Sequence, residues 1–260
     1  MNFLLEALAF ILDAANWSGP TGIGTRLAQH LGITGLSLLL AAVVALPLGL
    51  FIGHTGRGRS FVIAFTGAAR ALPTFGMLIL FVLLGIQFGL GLSLGPVIAV
   101  LVILAVPPLL AGAYAGVEAV DRATVDAARA QGMTEGQILT RVELRLALPL
   151  LVGGLRSATL QVVATATIAA YVAQGGLGRY LIEGLQVRDY PRTVVGAILV
   201  AALALLLDAL LAVAQRLVTP RGVSRGSTRS GAVRTGSTPG STAKRPSRSL
   251  DATRTPVTEG

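Results

Sequence analysis

Cysteine is absent from the 260 residues, so no disulfide framework or thiolate metal site is available, and redox chemistry says nothing about compartment. Lysine occurs once, as Lys244. A Walker A loop needs G-x-x-x-x-G-K-[ST], and Lys244 lacks that context. Histidine occurs twice, as His30 and His54, which rules out an H-E-x-x-H zinc motif; both bracket the first apolar run and are read as interfacial, with no role assigned. Charge is also scarce, at 13% of residues against roughly a quarter in soluble domains. These absences remove most enzyme readings, and no metal or other cofactor is expected on this chain. What is abundant is apolar surface, 53% of residues, a composition that belongs in a bilayer.

The apolar residues fall into blocks. Leu31 to Gly53 carries no charge and is long enough to cross about 30 Å of hydrocarbon at about 1.5 Å per residue. Ala71 to Val117 is also uncharged, and as one helix it would be roughly 70 Å long, so it must cross twice. We expect spans at Leu31–Gly53, from Phe61 or Ala71 to Leu84, at Pro96–Val117, at Ala147–Val172 and at Val194–Val218, with Gly85–Gly95 as a loop. Backbone groups in lipid need internal partners, so the spans are helices and the fold class is all-α, a polytopic membrane protein with five transmembrane helices. Residues 1–26 read as an interfacial helix ending at Trp17 and a turn-rich linker, without the basic region of a signal peptide. Residues 27–218 form the membrane domain. Residues 219–260 are rich in Gly, Ser, Thr and Pro, and the reading is a disordered basic tail.

The net charge of +9 is not one surface, because +6 of it lies in that tail, and nucleic acid is not an expected partner. The basic residues of the tail could touch anionic lipid headgroups of the bilayer, but the simpler reading is a solvated extension. Placing Arg57, Arg59, the segment 120–149, Arg216 and the tail on one side collects fifteen of the 21 Lys and Arg. By the positive-inside rule that side is the cytoplasm of a cell (inner or plasma) membrane, with the N-terminus outside and the C-terminus inside.

Val120 to Pro149 is the one long charge-mixed stretch between apolar blocks. Helix Arg122–Gln131 is expected to stop at Gly132, which takes the left-handed conformation without a Cβ clash. Thr134-Glu135-Gly136-Gln137 has capping-box spacing, and Met133 and Ile138 are placed as a hydrophobic staple. A bent helix pair of this kind could read DNA or merely pack. Held at a membrane surface, it reads instead as a docking piece.

These residues carry a resemblance. Asp126-Ala127-Ala128, three residues, Gly132, nine residues, then Val142-Glu143-Leu144 resemble the EAA loop of ATP-binding-cassette (ABC) importer permeases, with Asp126 for the usual Glu and Arg145 where that family's Pro sits. Val106-Pro107-Pro108, Ala173-Gln174-Gly175-Gly176-Leu177-Gly178 and the stretch AQHLGITGLSLLLAAVVALPLGLFIG are similar to segments of the glycine betaine/carnitine/choline permeases. The resemblance covers residues 27–220. It implies a type I ABC importer permease fold, with residues 120–149 as a cytoplasmic coupling helix in which Asp126, Ala127, Ala128, Gly132, Met133 and Thr134 engage the ATPase. It also implies a second permease copy or homologue, a cytoplasmic ABC ATPase dimer that binds ATP and Mg, and an extracytoplasmic solute-binding protein. The glycine-rich segment is shared with methionine and phosphonate permeases, which remain alternatives.

Within the spans, Ser157, Gln161 and Thr165 recur every four residues on one helical face, with Tyr171 beyond them. They are candidates for the substrate path, against the simpler reading that Ser and Thr bond their own helix. The prolines of the first four spans, at Pro47, Pro73, Pro107-Pro108 and Pro149, fit either packing or a moving pathway. Asp208 is the one acid inside a span, about 12 Å from Arg216 along a helix. Buried ions are normally paired, so Asp208 is expected to meet Arg156, with Arg70 as the second choice. An ion-coupled secondary transporter would require midplane carboxylates and internal repeats, and a passive scaffold would not require the polar and proline content of the spans.

Overall fold

The structure is a computed structural model of the full chain, and it describes residues 2–69, 73–89, 93–172 and 175–219. The described residues are helical throughout, with turns between. Helix α1 (Phe3–Leu12) is followed by a 3-10 turn at Ala14–Trp17, and the Trp17 indole donates to the Ile11 carbonyl at 2.7 Å. Helix α1 therefore ends before the expected Trp17: Asp13 is extended and caps the next turn through Ala15 N–H.

Helix α2 (Ile23–Thr55) runs 33 residues, roughly 50 Å, so it projects beyond the expected charge-free span at both ends. Gly56, at φ +70°, ends it and donates to the Ile52 carbonyl. The expected second span is two pieces, α3 (Arg59–Ala69) and α4 (Thr74–Gln87), each too short to cross alone. Pro73 sits extended as the N-cap of α4, and with no N–H it cannot donate the backbone bond that a helix running through it would need. Among the described residues, four helices are long and apolar enough to cross a membrane: α2, α5 (Leu94–Glu118), the continuous helical run Glu135–Val172, and α10 (Tyr190–Val218). The expected Gly85–Gly95 loop is shorter than read, because α4 continues to Gln87 and α5 begins at Leu94. The expected tail lies outside the described residues from residue 220 onward.

The main core lies between α2, α5 and α8 (Leu144–Ala166), with Leu101, Leu109, Leu110, Ala158 and Val162 fully buried. Without a hydrophobic drive between helices in lipid, close backbone approach has to supply the attraction. Glycine makes that approach possible here. A Cβ on Gly49 would lie 2.6 Å from Ala113 Cβ, and one on Gly112 would lie 2.8 Å from Gly154 Cα. A smaller cluster of Ala7, Ile23, Tyr180 and Val195 ties α1 to α9 (Gly178–Gln186) and α10, and the Tyr180 hydroxyl donates to the Thr21 carbonyl at 2.8 Å.

Candidate functional site

The folded loop between α5 and α8 builds itself from local signals. Asp121 caps α6 (Arg122–Ala130) by accepting from Ala123 N–H at 3.0 Å. Gly132 reverses the chain at φ +82°. Thr134 then opens the single-turn α7 (Glu135–Gln137) with a complete capping box: Gln137 Oε1 accepts from Thr134 N–H at 2.9 Å, and Thr134 Oγ1 accepts from Gln137 N–H at 3.4 Å. Ile138 is fully buried against Val120, Val125 and Ala128, with Met133 and Val142 on the edge of this small core.

Between α7 and α8 the chain passes through a π-helical stretch, Ile138–Glu143. Such a stretch adds residues to a turn without breaking the rod, each turning the exposed face by about 100°. From Glu135 the chain is consequently one continuous helical run whose apolar stretch lies in α8, while α6 lies before the reversal at Gly132.

Charge organises the outer face of the loop. Arg129 donates from Nε to Glu135 Oε1 at 2.7 Å and from Nη1 to Asp126 Oδ1 at 2.9 Å, stitching α6 to α7. The bond from Arg129 holds the Glu135 carboxyl below the usual carboxylate range, and the same bond raises Arg129 above its own. Asp126, Ala127, Gly132 and Thr134 are exposed, whereas Ala128 is 7% exposed and turned into the loop's core. Ala128 can shape a docking face but hardly touch a partner. Ala123, Thr124, Ala127, Gln131, Met133 and Val142 line an open groove of about 490 Å³ along this face, with Ala128 at its floor.

Both histidines, read from the sequence as interfacial and without a role, have specific partners. His54, near the end of α2, reaches Glu143 Oε2 through Nδ1 at 2.5 Å and Glu135 Oε2 through Nε2 at 3.3 Å. His54 is therefore not a simple interfacial residue. His30, the other histidine, is fully buried, with Nε2 3.0 Å from the Val163 carbonyl. A scarcity of histidine was the only available signal, because the partners lie far away in sequence.

Along α8, Ala158, Thr159, Val162, Val163 and Ala166 are buried, while Ser157 is exposed and Gln161 and Thr165 are half-buried. The polar stripe thus lies at the edge of the face that this chain leaves open. Tyr171 is exposed on the same run and packs edge-on against Phe75, with ring centroids 5.1 Å apart. Arg156 meets Asp208 through two hydrogen bonds of 2.9 Å, donating from Nε and Nη2. Its Nη1 donates to Gln215 Oε1 at 3.0 Å, and Gln215 Nε2 donates to the Pro149 carbonyl at 2.7 Å. This chain of bonds joins α8 to α10 on the side of α8 away from α5. Arg70 lies outside the described residues.

Comparison with known proteins identifies this architecture. Residues 45–221 match the family described as binding-protein-dependent transport system inner membrane component. The glycine betaine/carnitine/choline transport system permease protein OpuCB of Bacillus subtilis is 32% identical over 198 residues, 76% of this chain and 89% of that protein. The choline transport system permease protein OpuBB of the same organism is 32% identical over 197 residues, 76% of this chain and 88% of that one. The inward-facing MetNI methionine ABC transporter shares the fold, with TM-score 0.65 and 22% identity over 75% of this chain and 95% of the matched chain. The loop, the spans and these matches agree, and the chain belongs to the family of binding-protein-dependent transport system inner membrane components.

Proposed function

We propose that the chain is the transmembrane subunit of an ATP-driven importer and forms the translocation path for a quaternary-amine osmoprotectant such as glycine betaine, carnitine or choline. The names of its relatives support the substrate class. The chain crosses the membrane five times, α3 and α4 together making one crossing, with the N-terminus outside and the C-terminus in the cytoplasm. A cytoplasmic ATPase dimer binds ATP and Mg and docks on residues 120–149, an external binding protein delivers the solute, and a second permease completes the path.

One observation carries this reading: α6 is tied to α7 by the Arg129–Glu135 pair, and α7 is continuous, through the π-helical stretch, with the helix that bears Ser157, Gln161 and Thr165. A displacement of α6 at Asp126 or Ala127 by the ATPase is passed through the Arg129–Glu135 pair and the shared core at Ile138 to α7, and along the continuous run to the open face of α8. The half-buried Arg156–Asp208 bond holds α8 to α10, so the two move as a unit. A cation such as a quaternary amine would be held mainly by aromatic faces of the binding protein, with Tyr171 and Gln161 lining the passage here.

Reconstitution in liposomes with the ATPase and the binding protein tests this. Uptake of labelled glycine betaine, carnitine or choline that requires internal or external ATP on the ATPase side supports the reading. Uptake driven by an ion gradient without ATP overturns it.

A further inference from the structure

Three polar side chains from separate elements meet where α2 ends. His54 presents Nδ1 to Glu143 of the π-helical stretch and Nε2 to Glu135 of α7. The Glu143 side chain is 2% exposed, His54 is 15% exposed and Glu135 is 56% exposed. A carboxylate as buried as Glu143 needs a charged or donating partner, and His54 is the one it has among the described residues. The imidazole Nδ1 meets that carboxylate at hydrogen-bond distance, and its Nε2 faces the Glu135 carboxylate at 3.3 Å.

The geometry makes this more than a local ion pair. The end of α2 is itself fixed, because a Cβ on Gly53 would lie 2.7 Å from Val117 Cβ and 3.0 Å from the Tyr114 carbonyl of α5. The apolar core of the loop is its own: Val120, Val125, Ala128, Ile138, Met133 and Val142 all belong to it. Among the described residues, His54 is the side chain from another helix that bonds into the loop. Chain continuity joins the loop to α5 and α8 only.

We propose that His54 is a positioning residue, a latch that ties the loop to α2 so that displacement of α6 and α7 moves α2 together with α8. The proposal rests on the docking of an ATPase at residues 120–149. With the latch broken, the ATPase still docks and turns over, but part of its displacement is absorbed by the loop swinging away from α2.

The test compares wild type, His54→Ala and the double variant His54→Ala with Glu143→Gln, each purified with the ATPase and reconstituted with the binding protein. The readout is solute taken up per ATP hydrolysed. The double variant removes the buried carboxylate together with its partner, so it folds without an unpaired charge. The latch predicts that ATPase copurification matches wild type in the double variant while uptake per ATP falls about five-fold, the scale on which coupling residues act. A wild-type ratio in the double variant overturns the latch and leaves ATPase docking standing, since His54 would then serve only as the partner of Glu143. A wild-type chain that brings down no ATPase overturns the docking reading and the latch with it.

Discussion

Replacing Gly112 by alanine tests the helix crossing that positions α8. The new Cβ would lie 2.8 Å from Gly154 Cα and 3.0 Å from the Leu150 carbonyl. Carbon contacts are comfortable at about 3.5–4.0 Å, so the two helices must separate by roughly 0.7 Å or more. The obstructing atoms are backbone and cannot swing aside. The same line continues at Gly116, whose Cβ would meet Ala147 Cβ and the Ala147 carbonyl at 3.0 Å each. Overpacking of this kind costs about 1–3 kcal/mol, offset by about 1 kcal/mol from alanine's better helix propensity. Gly67→Ala isolates the second effect, since no atom lies within 4 Å of its Cβ and α3 is open there. Both substitutions remove one glycine from the unfolded chain, so comparing them cancels that contribution. The two variants should differ by about 3 kcal/mol at most, which for a chain of this size is roughly 6–12 °C in Tm. Thermal unfolding of the purified protein in detergent measures it, with Gly112→Ala the lower. Equal melting temperatures, or a higher one for Gly112→Ala, would refute the close crossing of α5 on α8.

Three other outcomes follow from the site. Asp208→Asn and Arg156→Gln should each lower the thermal stability and yield of the complex, while the exchange of Asp208→Arg with Arg156→Asp recovers part of the loss; a stable, fully active Asp208→Asn chain would show that the pair does not hold α8 to α10. Thr134→Ala removes the capping box and should cost the loop about 1 kcal/mol, seen as faster amide hydrogen exchange at residues 134–138 with the spans unchanged. Gln161→Ala and Tyr171→Ala should alter the concentration of solute giving half-maximal uptake by about three-fold or more with ATPase binding unchanged, as expected where a polar or aromatic contact worth about 1 kcal/mol is lost.

The loop was legible because its signals are local. Gly132, Thr134 and Gln137 lie within six residues, and a capping box or a left-handed glycine needs no knowledge of the rest of the chain. The span containing Arg70 and Pro73 was harder. Mean hydropathy reads composition, whereas the start of α4 is set by one proline, the extended N-cap Pro73. Asp208 and Arg156 could be matched because so few charges compete for partners in apolar surroundings. His54 and Glu143 could not, since 89 residues separate them and the motif that contains Glu143 gives no hint of a partner on α2. The Gly112–Gly154 crossing was hidden for the same reason: spacing within one helix reveals a small-residue face but not which helix it meets. The inward turn of Ala128 comes from the angle at which α6 packs on Ile138, which only the folded loop sets.

The central claim is that residues 120–149 are gripped by an ATPase on the cytoplasmic side. The chain has no cysteine, so a single Cys substitution is a unique crosslinking handle. In membranes holding the whole complex, Ala127→Cys carrying a short thiol-reactive photocrosslinker should form an adduct with the ATPase, and Ala128→Cys, buried in the loop, should form far less. Absence of an ATPase adduct from Ala127→Cys, or its labelling in intact cells by a membrane-impermeant thiol reagent, would contradict the account.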